Sequence, residues 1–98
     1  MKRIKINGND YSIVKQYKNG FVQESVIERC KETDYFDDYD YILGDWAYDK
    51  LRLKGFYDKN SPTCNENNSY ENIDEYIKKY CAYECRYFVL KKVSKKDE

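Results

Sequence analysis

The sequence predicts an α+β domain in which strands and helices follow one another in the order ββαββαβ. Five short segments have the composition of β-strands, most of them with alternating side chains, and two others repeat apolar residues at the helical period. Aromatic residues make up 17% of the 98 positions, so rings can build one core although the mean hydropathy is only −1.03. We expect a mixed, mostly antiparallel five-stranded sheet with both helices packed on one side, because two helices cannot cover both faces of five strands well.

The chain opens with a predicted β-hairpin. Residues 2–7 alternate polar and apolar side chains, with Ile4 and Ile6 on the same face. Residues 7–10 read Asn-Gly-Asn-Asp, a turn composition that tolerates positive φ, and residues 11–17 then resume the strand pattern.

A helix is predicted next, over residues 21–32. It follows a second break at residues 18–20, and within it Val22, Val26 and Cys30 recur every four residues. That spacing places the three side chains on one face of about three helical turns.

The middle of the chain predicts a second hairpin. Residues 40–46 are apolar enough for a strand, and residues 50–57 alternate clearly, with leucines on one side and cations on the other. Gly55 interrupts this alternation, which indicates a bulge or a close backbone neighbour.

A loop and a second helix follow this hairpin. Residues 58–69 hold the single proline and four asparagines, a composition typical of a surface loop. Residues 71–81 return to helical spacing, and Asn72 with Glu75 has the spacing of a capping box.

The last predicted strand covers residues 86–93, where Tyr87, Val89 and Lys91 on one face alternate with Phe88, Leu90 and Lys92 on the other. We expect residues 1–93 to form a single domain and residues 94–98 to form a charged, frayed tail.

Charge and targeting signals narrow the class of protein. Lysine plus arginine and aspartate plus glutamate number 18 each, so the chain as a whole has no attraction for polyanions. Residues 1–10 lack the apolar core of a signal peptide, and no apolar run reaches the ~20 residues that span a bilayer. We therefore expect a cytoplasmic protein with no membrane partner and with reduced cysteines.

Three segments in the middle of the chain carry a family resemblance. They read YDYI at residues 39–42, GDW at residues 44–46 and LRLKGFY at residues 51–57, and residues 76–90 add a matching closing segment. The chain resembles the YutD-like family of small proteins from Gram-positive bacteria, over nearly its whole length. The resemblance implies an intracellular α+β domain, and it implies no reaction, cofactor or catalytic residue.

Two cysteines raise the possibility of thiol chemistry. Cys81 and Cys85 are four residues apart, so a continued helix would place both thiols on one face, where they could share a metal or form a reversible disulfide. The chain contains no histidine and no CxxC pair, and zinc usually needs such ligands. We therefore expect no metal and no cofactor, and a thiol-based redox or metal-binding function is kept as the alternative.

Catalytic signals are missing from this sequence. It has no histidine to act as a general base, no GxSxG segment and no phosphate-binding loop. The acidic run at residues 34–49 lacks the spacing of an EF-hand. We expect a binding protein rather than an enzyme and identify no small-molecule substrate; Asp45 is the remaining candidate for an acid or base.

One predicted strand face combines basic and aromatic side chains. Such a face can bind single-stranded RNA, since cations contact phosphate and rings stack on bases, or it can bind a protein. The competing interpretation is a solvated face on which cationic stems cover half-buried rings. The sequence thus predicts a cytosolic binding module whose partner is a protein or single-stranded RNA, contacted by a water-exposed face made of Trp46, Tyr48, Lys50, Arg52, Lys54 and Phe56.

Overall fold

A computed structural model of the chain describes residues 3–6, 8–31, 33, 35–47, 50–62, 64–65, 68–80 and 86–93. The predicted fold class and element order are confirmed, whereas the tail at residues 94–98 lies outside the described residues. The extent of the single domain, residues 1–93, stays a prediction. The strands are β1 (Arg3–Ile6), β2 (Asn9–Tyr17), β3 (Tyr41–Ala47), β4 (Lys50–Phe56) and β5 (Tyr87–Lys92), and the helices are α1 (Gln23–Cys30) and α2 (Ile73–Tyr80).

The five strands form one sheet in the order β1-β2-β5-β3-β4, and all neighbours run antiparallel. The strand that comes last in the chain therefore lies in the centre, and β1 and β4 are the edges. Phe88, Val89 and Leu90 of β5 are all buried, as expected for a strand that is covered on both faces. A parallel contact occurs in the described residues as a single bridge, between Tyr57 and Ser69.

The two helices cover opposite faces of the sheet, which corrects the expectation that both would lie on one side. Val26 of α1 shares a buried cluster with Ile42, whereas Ile73 of α2 shares another with Leu43. Ile42 and Leu43 are consecutive in β3, and consecutive side chains of a strand point to opposite faces. We call these sides the α1 face and the α2 face. Each needs its own helix because both carry large apolar side chains.

The helix ends differ from the prediction. The segment that leads into α2 begins with a 3-10 turn at Tyr70–Asn72, and the Ser69 hydroxyl accepts a hydrogen bond from the Glu71 N–H at 3.3 Å. Ser69 is thus the cap, and the predicted box of Asn72 with Glu75 lies inside the helical segment. Within the described ranges, none of the helices combines the length and apolar character needed to cross a bilayer.

Gly55 has the close neighbour that its position in a strand predicts, but the neighbour is a ring. A Cβ added to Gly55 would lie 2.1 Å from the Cγ of Tyr39. The register between β3 and β4 is continuous through this position, so no bulge is present there. The glycine therefore makes room for the Tyr39 ring against β4.

Candidate partner-binding groove

Arg52 is paired with an acid that the sequence analysis considered separately. Asp45 lies directly opposite Arg52 in the register of β3 and β4. The guanidinium donates to the carboxylate through Nε at 3.1 Å and Nη2 at 2.5 Å. The Asp45 side chain is 7% exposed and the Arg52 side chain 51%, so a buried acid compensates a half-exposed cation. Arg52 of the predicted face is therefore held in a salt bridge, and its side chain stays half-exposed.

Lys54 and Phe56 belong to the packing between β4 and α2. The Lys54 ammonium lies 5.2 Å from the centre of the Phe56 ring and 5.4 Å from that of Tyr76 in α2. Phe56 packs edge-to-face on Tyr76 and is 1% exposed. The prediction that Phe56 contacts a partner is therefore wrong, because α2 covers this end of the strand face.

Trp46 is oriented by backbone that lies far from it in sequence. Its indole N–H donates to the carbonyl oxygen of Gly20 at 2.7 Å, and the Arg86 guanidinium lies 4.8 Å from the ring centre. A Cβ on Gly20 would lie 2.5 Å from backbone atoms of Tyr87, so only glycine allows this turn to approach β5 so closely. Trp46 is half-buried near the end of β3.

Three of the predicted residues meet at one surface groove of about 630 Å³ between α1 and the β3–β4 hairpin. We call it the α1–β4 groove. The sheet side consists of one ring, one aliphatic side chain and two cations, and α1 adds three polar side chains. Its lining residues are Ser25, Glu28, Arg29, Trp46, Lys50, Leu51 and Arg52.

The contribution of α1 was missed by the sequence analysis. Ser25, Glu28 and Arg29 have the i, i+3, i+4 spacing of one helix face, which is a visible signal. The sequence alone does not show that this face borders β4, since that depends on which side of the sheet α1 covers. Tyr48, the remaining predicted residue, lies outside the described residues.

The groove carries more positive than negative charge. Arg52 is compensated by Asp45, so the excess comes from Arg29 and Lys50. The carboxylate in the lining, Glu28, forms an ion pair with Lys31 at 3.0 Å. The groove therefore suits an acidic ligand that also offers an apolar side chain to Trp46 and Leu51.

Two other cations on the sheet, Lys15 and Lys92, are engaged within the protein. Lys15 pairs with Asp74 of α2 at 2.7 Å, and this hydrogen bond raises the pKa of Lys15 and lowers that of Asp74. Lys92 donates to the backbone carbonyl of Asp37. These contacts interrupt the continuous basic patch that a polyanion would require.

The surroundings of Cys30 do not favour thiol chemistry. Cys30 is buried at the end of α1, and burial, followed by the charge of Asp37, raises its pKa, which disfavours a reactive thiolate. In the part of the chain that the structure describes, no group of three or more His, Cys, Asp or Glu residues could hold a metal. Cys81 and Cys85 lie outside the described residues.

Comparison with known proteins identifies the family. The family described as "Putative antitoxin YutD-like" matches residues 5–91. The chain belongs to this family. It is 39% identical over 92 residues to a Bacillus subtilis (strain 168) protein named "Putative antitoxin YutD", and the match covers 94% of this chain and 99% of the relative. The solution NMR structure of B. subtilis yutD superposes with a TM-score of 0.78 at 39% identity, covering 97% of this chain and 84% of that one. The resemblance inferred from the central segments is thus confirmed.

Proposed function

We propose that this YutD-like protein is a non-enzymatic binding module of the cytoplasm that holds a protein partner in the α1–β4 groove. The observation that carries the proposal is the convergence of Trp46 and Leu51 with Arg29, Lys50 and Arg52 in one open groove. Rings and arginines are enriched where protein interfaces gain most of their energy, and aliphatic contacts exclude water around them. The matching partner segment is acidic and carries at least one apolar side chain.

The name of the B. subtilis relative suggests what the partner is. That protein is named an antitoxin, and an antitoxin counteracts a toxin. We extend the name to this chain as the proposal that the groove binds a toxin protein through an acidic segment. Binding alone is enough for such a role, which agrees with a chain that has no histidine to act as a general base.

A protein partner is favoured over RNA by the charges. RNA binding relies on cations that neutralise phosphates, yet Arg52 is bound to Asp45 and Lys15 to Asp74. The net charge is zero as well, so long-range attraction for a polyanion is missing. The groove keeps enough positive charge for a short acidic peptide.

Affinity capture from the cytosol of the bacterium that encodes the chain tests this proposal. Lys50→Glu reverses an exposed charge in the groove, and Lys78→Glu makes the same change on an exposed position of α2. We expect one protein to be captured by the native chain and by Lys78→Glu, with about tenfold less captured by Lys50→Glu, because charge reversal turns attraction into repulsion.

Two outcomes would contradict the proposal. Equal capture by both variants would mean that the partner binds elsewhere. Recovery of RNA that ribonuclease removes, with no protein that depends on Lys50, would favour the nucleic-acid interpretation.

A further inference from the structure

The outer edge of β4 directs backbone hydrogen-bonding groups away from the sheet. At Tyr57, just after β4, the N–H donates to the Asn68 carbonyl at 2.7 Å, and the carbonyl accepts from the Tyr70 N–H at 2.9 Å. The Phe56 carbonyl points the other way, towards β3, where it accepts from the Asp40 N–H at 3.0 Å.

The same alternation determines which groups of β4 face outward. Successive residues of a strand direct their N–H and C=O groups to opposite edges. Leu51 and Leu53 are an even number of residues from Tyr57, so their backbone N–H and C=O groups point to the outer edge. The backbone groups of Arg52 point towards β3. Within the described ranges, no strand pairs with this edge between Lys50 and Phe56.

The chain just beyond this edge already forms a single β-bridge with another segment of the protein. Tyr57 and Ser69 form a parallel bridge immediately beyond Phe56. The preceding stretch is regular, since its register with β3 runs without a shift from Lys50 to Phe56. A regular edge strand with open backbone groups can pair with an added strand.

A second copy of the chain is a poor occupant of the edge. In an antiparallel pair of two β4 strands, the outward N–H and C=O groups of Leu51 and Leu53 must form hydrogen bonds with the same groups of the other copy. Every register that achieves this also places Lys50, Arg52 or Lys54 opposite another cation, because all three alternate with the leucines. Like charges directly opposite each other destabilise a sheet. The edge therefore selects for a strand with acidic residues at alternate positions.

We propose that the partner binds by adding a strand to the outer edge of β4. This inference rests on the proposed function and specifies its binding mode. Acidic side chains of the added strand lie opposite Lys50 and Arg52, and its alternate, apolar side chains enter the α1–β4 groove beside Leu51 and Trp46. Backbone pairing supplies part of the affinity, and the cations together with the groove supply the specificity.

Hydrogen exchange with a synthetic peptide tests the binding mode. The probe is a fluorescein-labelled Glu-Val-Glu-Val-Glu peptide flanked by glycines; the controls are Lys-Val-Lys-Val-Lys and the rearranged Val-Glu-Glu-Glu-Val. With the alternating acidic peptide in excess, we expect the amides of Leu51 and Leu53 to exchange about tenfold more slowly, because they gain hydrogen bonds. The Arg52 amide, already bonded to β3, should change little.

A backbone variant distinguishes the contribution of backbone hydrogen bonds to peptide affinity from that of side chains. Leu53→Pro removes the outward N–H of residue 53 without removing a hydrogen bond to β3. Leu53→Ala also loses the leucine side chain but keeps that N–H. We expect Leu53→Pro to bind the acidic peptide about tenfold more weakly than Leu53→Ala. If Leu53→Pro fails to fold, the exchange measurement on the native chain decides alone.

Three results would overturn strand addition: no binding of the alternating acidic peptide at millimolar concentration, equal binding of all three peptides, or binding without protection of Leu51 and Leu53. If one of these occurs while the cytosolic partner still depends on Lys50, the groove remains the binding site and only the binding mode is wrong. If capture fails too, the proposed function is wrong as well.

Discussion

The pair formed by Asp45 and Arg52 leads to a quantitative prediction about stability. Arg52→Ala removes both hydrogen bonds from a carboxylate that is only 7% exposed. Leaving a buried polar group without its partner costs about 1–3 kcal/mol. The cost should stay within that range, rather than reach that of a fully buried charge, because water can enter from the half-exposed side that the guanidinium vacates. Each kcal/mol lost lowers Tm by about 4–8 °C in a domain of this size.

A double-mutant cycle tests this reasoning. We expect Asp45→Asn combined with Arg52→Ala to be less destabilising than the sum of the single changes, with a coupling free energy of about 1–3 kcal/mol. Urea denaturation of the four proteins, followed by tryptophan fluorescence, gives each free energy of unfolding. Lys50→Ala, two residues away in β4, is the matched control and should change stability by less than about 0.5 kcal/mol. A coupling below about 0.5 kcal/mol would refute the argument that Arg52 stabilises the fold by pairing with the buried Asp45.

Three further predictions concern the packing and the pH dependence of the fold. Gly55→Ala should lower the free energy of unfolding by about 1–3 kcal/mol, because its Cβ would overlap the Tyr39 ring; unchanged urea denaturation would show that the ring can move. Burial raises the pKa of Tyr11 to about 12, so its contribution to stability is complete below pH ~10 and is lost as the pH rises towards 12. Absorbance titration at 295 nm in parallel with unfolding should show this, and a Tyr11 that titrates near 10 in the folded protein would contradict it. The hydrogen bond from Lys15 lowers the pKa of Asp74, so stability from this exposed pair is present above the unfolded pKa of about 3.9 and is lost as the pH falls below it. The loss should be under about 1 kcal/mol because solvent screens the pair, and a chemical denaturation series from pH 6 to pH 2 with Asp74→Asn as control measures it.

The order of elements could be predicted because it depends on local periodicity. The hairpin of β1 and β2 follows from alternation and turn composition, and that of β3 and β4 follows from an apolar segment next to an alternating one. The strand order could not be predicted in the same way, because β5 pairs with β2 and β3 through residues far apart in the chain.

The side covered by each helix was mispredicted for a physical reason. Residues 87–90 read Tyr-Phe-Val-Leu, a continuous apolar run, which is typical of a strand buried on both faces. Treating that run as simple alternation hid the need for a helix on each side of the sheet.

The candidate site could be predicted in part. The prediction that four side chains of β4 share one face was correct; they are Lys50, Arg52, Lys54 and Phe56. Alternation along a strand does not show, however, that α2 covers Phe56 and leaves Lys50 exposed. Asp45 was considered only as an acid or base, although it lies opposite Arg52 once the register is known. Neighbours supplied by other elements, such as Arg29, become visible only after the sheet is assembled.

The central position of β5 has a consequence for synthesis on the ribosome. Until residues 87–92 have emerged, the nascent chain holds two separate hairpins, and the strands that will flank β5 have no neighbour on that side. The two hairpins can join into one sheet only when β5 is available to pair with β2 and β3. A premature stop codon before Tyr87 would therefore abolish the whole fold, and the two hairpins of the truncated product would be susceptible to proteolysis.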